Sequence, residues 1–135
     1  GKANLTIRRA TFCSDIESFG NYTRFARDEF SAGQEILVYS ELDNFRSERT
    51  AQGHYRTLLK SSLRVYLAGD ETRVVDEVQY NATEDLCRSH RQDFMQGFKY
   101  RLPKKLTPGA YVMRLIIEDQ LSGKSTEYSL NFIVR

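Results

Sequence analysis

The tightest constraint on this chain lies near its C-terminal end, where two runs alternate apolar and polar residues with a period of two. Tyr111, Met113, Leu115 and Ile117 fall on one face, against Val112, Arg114, Ile116 and Glu118 on the other. Tyr128, Leu130, Phe132 and Val134 alternate likewise against Ser129, Asn131 and Ile133. A pleated strand sends successive side chains to opposite faces, so this spacing specifies half-buried strands rather than amphipathic helices. Between the runs, Asp119-Gln120-Leu121-Ser122-Gly123-Lys124 is a short polar loop with a late glycine, and the whole predicts a β-hairpin.

Similar patterning recurs upstream. Leu5 to Phe12 predicts a first strand and Glu35 to Leu42 a second, with Ile36, Val38 and Leu42 on one face. Tyr55 to Leu67 places Tyr55, Leu59, Leu63, Val65 and Leu67 together, and its length predicts a bulge near Ser61-Ser62. Ala68-Gly69-Asp70-Glu71 turns into Thr72 to Tyr80, and Phe94 to Leu102 completes the set. About seven strands in a chain of this size predict an all-β, antiparallel two-sheet sandwich, one domain spanning residues 1–135. Two stretches break the alternation. Ser14 to Gly33 reads as a long loop anchored by Phe19, Tyr22, Phe25 and Phe30, and Thr83 to Gln92 as a polar segment whose Thr83 caps a short helix.

Composition narrows the function classes. Twenty basic side chains oppose 18 acidic ones, leaving a net charge of +2, which argues against a dedicated nucleic-acid binder. No apolar run approaches the roughly 18 residues that span a bilayer. Gly1-Lys2-Ala3-Asn4 has no basic-then-apolar export signal, which leaves open that one was cleaved.

The segment Leu106-Thr107-Pro108-Gly109-Ala110-Tyr111-Val112 resembles the corner before a late strand in fibronectin type III and bacterial immunoglobulin-like domains. The resemblance implies that Pro108 and Gly109 make the turn while the Tyr111 hydroxyl bonds back to the corner's backbone and its ring packs inside. It extends through the final hairpin, about the last third of the chain. The chain has no tryptophan, so the Cys-Trp-Cys core of antibody domains is missing. Phe12-Cys13 with Phe19-Gly20-Asn21-Tyr22, and Cys87-Arg88 with Arg91 and Asp93-Phe94, are similar to segments of bacterial exported proteins. That likeness implies an exported compartment and no activity.

Several groups of residues are candidates for chemistry. Cys13 and Cys87, the only two cysteines, each sit beside an irregular segment. Joined, they staple the two non-alternating stretches, worth about 4 kcal/mol in the chain-entropy model, and place the protein in an oxidising compartment. The other reading is two thiols acting as small hydrophobes. A metal site from Cys87, His90 and Asp15 or Asp85 lacks paired ligand spacing. A cysteine nucleophile served by His54 or His90 has no motif behind it.

Of the adjacent acids Asp28-Glu29, Asp76-Glu77, Glu84-Asp85 and Glu118-Asp119, the second and fourth pairs fall in strands, whose neighbours point apart, and a solvated face accounts for the set. Arg88, Arg91, Lys99, Arg101, Lys104 and Lys105 lie near Phe94, Phe98 and Tyr100, a composition suited to polyanions, although alternation alone also explains it. The triplets beginning at Asn4, Asn21 and Asn81 fit glycan acceptors.

The expectation is a non-catalytic interaction or structural module of an exported protein. It needs no cofactor, and its partner is a protein or cell-envelope component rather than nucleic acid or membrane. The alternatives are a carbohydrate- or polyanion-binding module using Tyr22, Tyr55 or the cationic stretch, and a small hydrolase built on Cys13 or Cys87.

Overall fold

The computed structural model describes residues 4–135; the first three residues of the N-terminus read above lie outside that range. The described residues form eleven strands in two sheets. β1 (Thr6–Ser18), β2 (Asn21–Arg24), β4 (Glu35–Asp43) and β9 (Asp93–Arg101) make the first sheet, in the order β2-β1-β4-β9. The second sheet runs β3 (Glu29–Phe30), β11 (Ser125–Val134), β10 (Gly109–Asp119) and β6 (Tyr55–Leu67). β7 (Asp70–Gln79) and β8 (Thr83–Cys87) lie end to end along the far side of β6. β5 (Glu48–Arg49) pairs with Tyr55 and Arg56 on the side of β6 that β10 occupies further along.

The period-two faces become the core. Tyr111, Met113, Leu115 and Ile117 are buried, as are Leu59, Leu63 and Val65 from the neighbouring β6 and Ile36, Val38 and Leu42 from the facing sheet. At the β3–β11 end, Phe12 meets Phe30 and Phe132 edge-on at ring-centroid distances of 5.3 and 5.7 Å. Such edge-to-face contacts suit the aromatic quadrupole. The predicted hairpin is present in unbroken register from Gly109 opposite Val134 to Glu118 opposite Ser125.

Five expectations need correction. The sandwich is not purely antiparallel, since β3 runs parallel to β11. Ser14 to Gly33 is not one long loop but the end of β1 followed by β2 and β3. No helix occurs at Thr83, because Thr83–Cys87 completes the ladder on β6. The bulge is not at Ser61-Ser62: pairing to β10 runs unbroken there, and the register shifts lie between Val65 and Leu67 on the β7 side.

The fifth correction concerns the cysteines, which are free and not joined by a disulfide. Cys13 is buried within β1 between Arg24 and Leu37, in the first sheet. Cys87 ends β8 opposite Tyr55, in the second sheet. The first-sheet ladder from Leu37 to Asp43 separates their levels by roughly 20 Å at the rise of a strand. A disulfide needs Cα atoms within about 7 Å. Burial pushes the Cys13 thiol up to about 11. The backbone N–H of Ser89 holds the half-buried Cys87 thiol below its ordinary range. Cys87 therefore alkylates in the native state, and Cys13 reacts only on denaturation; peptide mapping after iodoacetamide labelling checks this order.

One feature sits outside the core. Register shifts between Cys13 and Asp15 and between Ile16 and Ser18 bend β1, and the β1–β2 hairpin lies back over the outer face of its own sheet. Tyr22 stacks on Tyr39 at 4.1 Å, and the Gly20 N–H donates to the Tyr39 hydroxyl at 2.8 Å. A Cβ on Gly97 would stand 2.9 Å from Ile16 Cδ1, so a side chain there would displace the hairpin.

Beneath this cover the Tyr39 hydroxyl donates to Glu41 Oε2 at 2.6 Å, and Arg8 donates to Glu41 Oε1 at 2.9 Å. Burial opposes ionisation of Glu41, but Tyr39 and Arg8 outweigh it and hold the carboxyl below its usual range. Burial, and then the Glu41 bond, push the Tyr39 phenol up to about 12. A depressed carboxyl stabilises the fold above its unfolded pKa, and that contribution is lost as pH falls through the folded pKa. Glu41→Gln should cost about 1.5–3 kcal/mol at neutral pH. It should also flatten the acid limb of a stability–pH curve, measured by urea unfolding.

Candidate binding site at the loop end

Three connections meet at one end of the sandwich: residues 44–47 after β4, 88–92 before β9, and 120–124 in the final hairpin. The local chemistry fixes their shapes. Asn44 has a positive φ of 66°, a conformation that asparagine tolerates better than most residues. Its side-chain amide donates to Asn4 O at 2.9 Å. Asp119 is fully buried at the end of β10. Its Oδ1 accepts the N–H groups of Leu121 and Ser122 at 3.0 and 3.3 Å, shaping the hairpin loop. Its Oδ2 accepts the Arg46 N–H at 2.6 Å and ties the 44–47 loop to that hairpin. A buried carboxylate is stable there because backbone donors replace water.

The result is a cleft of about 590 Å³ lined by Asn44, Phe45, Arg46, Ser47, His90, Ser122 and Lys124. Arg46 and Lys124 are its full cations, and no carboxylate belongs to the lining. Lys124 makes no ion pair among the described residues, whereas Arg46 reaches the exposed Glu48 only at 3.8 Å. Cation–ring contacts adjoin the cleft through His90 and Phe45. Arg49 lies 5.9 Å over Tyr55, Tyr55 meets His90 edge-on at 5.3 Å, and Arg91 lies 5.4 Å over Phe94. Phe45 meets Phe94 edge-on at 5.9 Å. Such stacking pre-orients guanidinium groups while leaving their N–H edges outward.

The six cations singled out in the sequence do not form one patch. Arg88 and Arg91 stand at this loop end, and Arg91 approaches Asp85 at 3.2 Å. Lys99 and Arg101 lie along β9, and Lys104 and Lys105 follow it at the opposite end of the sandwich. Arg101 is engaged by Glu35 and by Gly33 O. Lys104 packs beside Gly33, and Lys105 borders a separate shallow pocket. At that far end the Tyr111 hydroxyl donates to Thr107 O at 2.7 Å, and its ring stacks on Phe132. Gly109 begins β10 with a φ of 150°, directly after Pro108.

The remaining candidates fall apart spatially. Cys87 lies near Ser89, its sulfur 3.8 Å from Oγ, and neither thiol bonds a histidine among the described residues. No group of three or more His, Cys, Asp or Glu side chains converges among those residues. Asp76 accepts the Tyr100 hydroxyl while its neighbour Glu77 faces Arg64. Of the sequence candidates, Tyr55, His90, Arg88 and Arg91 belong to the loop end and Tyr22 does not. Asn44, Phe45, Arg46 and Lys124 carried no motif; the sole local hint was the turn-forming Asp43-Asn44 pair.

No family model matches the chain, and no curated protein is similar to it in sequence. Among solved structures, superoxide reductase (neelaredoxin) from Ignicoccus hospitalis superposes with a TM-score of 0.44 and 17% identity, over 82% of this chain and 77% of that one. Spo0M, the sporulation control protein of Bacillus subtilis, gives a TM-score of 0.48 and 12% identity over 93% of this chain. The chain spans 49% of the Spo0M chain, about half its length. Likenesses at this level concern strand layout alone. No helix among the described residues is long and apolar enough to cross a membrane.

Proposed function

We propose that this domain is a non-catalytic binding module whose loop end holds an acidic polysaccharide. One observation carries the reading: three loops converge on a cleft whose lining includes Arg46, Lys124 and His90 and no carboxylate. Loops on a rigid sheet scaffold are where binding groups concentrate. Cations beside Tyr55 and Phe45 supply both charge pairing and aromatic faces for sugar rings. Using one loop end in this way is an immunoglobulin-like mode of recognition, and the corner at Tyr111 is a further likeness. Assignment to an exported protein rests on the sequence resemblance alone, since free thiols lend it no support.

Heparin, with sulfates and carboxylates on one chain, is the probe. The parent should bind it with an affinity that falls as salt rises. The double variant Arg46→Glu and Lys124→Glu should weaken binding by about tenfold or more. Lys104→Glu, at the opposite end, should change little. Equal losses from both variants would reduce the effect to net charge and sink the proposal.

A further inference from the structure

β9 is an edge strand, bonded to β4 on one side only. The Leu102 N–H donates to Gln34 O at 2.9 Å, which fixes the parity of the ladder. Gln96, Phe98 and Tyr100 turn their backbone groups toward β4, and Met95, Gly97 and Lys99 turn theirs away. The Lys99 carbonyl accepts the Tyr80 hydroxyl at 2.6 Å. The N–H and C=O groups of Met95 and Gly97 have no partner among the described residues. Facing them across a seam is the β7–β8 junction, and the gap is a cleft bordered by Tyr80, Asn81, Thr83, Phe94, Gln96 and Phe98.

Gln96 points to an occupant. It is only 8% exposed. Its side-chain N–H donates to Thr83 Oγ1 at 3.2 Å, and its Oε1 is buried without a partner. Turning the amide over would satisfy the oxygen and strand the NH2 group instead, so one orphan polar group borders this cleft in either orientation. Buried polar groups are nearly always paired, and a bound donor would pair this one.

We propose that this seam docks an extended peptide segment of a partner protein, added to β9 as a strand beside Met95–Gly97. Alternate unpaired N–H and C=O groups are what a peptide backbone complements. A hydroxyl- or amide-bearing side chain of the peptide enters the cleft beside Thr83 and donates to Gln96. Lys99, with no ion pair among the described residues, favours a carboxylate at that end of the peptide. A symmetric β9–β9 pairing centred on Gly97 is disfavoured, because it needs the Lys99 carbonyls that Tyr80 already occupies.

The test is selection of random peptides displayed on phage against the folded domain, followed by affinity measurements on a resynthesised peptide. Met95→Pro removes one outward N–H without touching the ladder to β4, and Gln96→Leu removes the orphan amide. Each should weaken the peptide by about tenfold, and the complex should protect the Gly97 amide from hydrogen exchange. Methylating alternate peptide amides should abolish binding to the parent domain, a result that does not depend on either variant folding. Heparin should not compete, because the loop-end cleft lies elsewhere. Absence of any selected binder, unchanged affinity for both variants and the methylated peptide, or competition by heparin would overturn the proposal. So would a concentration-dependent dimer that Met95→Pro dissolves.

Discussion

Removal of Ser125–Arg135 leaves a chain that does not fold. β11 supplies the whole outer partner of β10 and, among the described residues, the only strand partner of β3. It also places Phe132 and Val134 in the core, both 2% exposed. Phe132 lies 5.7 Å from Phe12, 6.0 Å from Phe30 and 5.7 Å from Tyr111, so its loss opens the aromatic cluster from three sides. The truncated chain would present the buried face of β10 to water and a long unpaired edge to other chains, a combination that aggregates. Expression of residues 1–124 should give insoluble protein or a soluble chain without a cooperative melt. A soluble fragment with a sharp thermal transition would show that the last strand is an appendage.

Tyr111→Ala is expected to cost about 3–5 kcal/mol, because it empties a buried ring site that the stacked Phe132 cannot refill. Tyr111→Phe should cost about 1 kcal/mol, the net worth of one hydrogen bond. The comparison separates two roles of one residue. The ring holds the core, and the hydroxyl holds the Thr107–Pro108 turn to the strand that follows. Urea midpoints at constant slope measure both, and midpoints equal to the parent's would remove the corner from the stability of the fold.

The strands that were legible in the sequence are those that are regular and buried on one face. β10, β11 and most of β6 alternate because successive residues face core and outside. β4 was legible from Ile36, Val38 and Leu42, although the β1–β2 hairpin also buries Tyr39 and Glu41 on its outer face. β1 was legible only to Phe12. Beyond it, bulges put Ile16 on the outside, over Gly97, and the period is lost. β8 was hidden for a different reason. Its Leu86 is 55% exposed and its inward residues are Thr83, Asp85 and Cys87, so polarity gave a false loop. Glu41 was also missed, although a carboxylate among Ile36, Val38, Tyr39 and Leu42 signals a buried partner.

The candidate site was half legible. Tyr55, His90 and Arg91 drew notice as ring and charge, but the cleft exists because Asp119 reaches Arg46 across 73 positions of sequence. The spacing of residues along the chain does not encode that meeting. The disulfide expectation failed on similar grounds: proximity of Cys13 and Cys87 was inferred from loops that the folded chain turned into strands of different sheets.

Asp119 holds the loop end by gripping main-chain N–H groups only: those of residues 46, 121 and 122. Every non-proline residue carries that donor. The Asp119 grip is therefore indifferent to which non-proline residue stands at those three positions, although Ser122 also accepts the Lys124 N–H through its hydroxyl, while the surface shown to a ligand depends on such residues as Arg46. Shape and taste are separately inherited. A lineage carrying this domain can change what it grips by exchanging such side chains as that of Arg46, at little cost to the scaffold, for as long as Asp119 and the turn residues Asn44 and Ser122 stay in place.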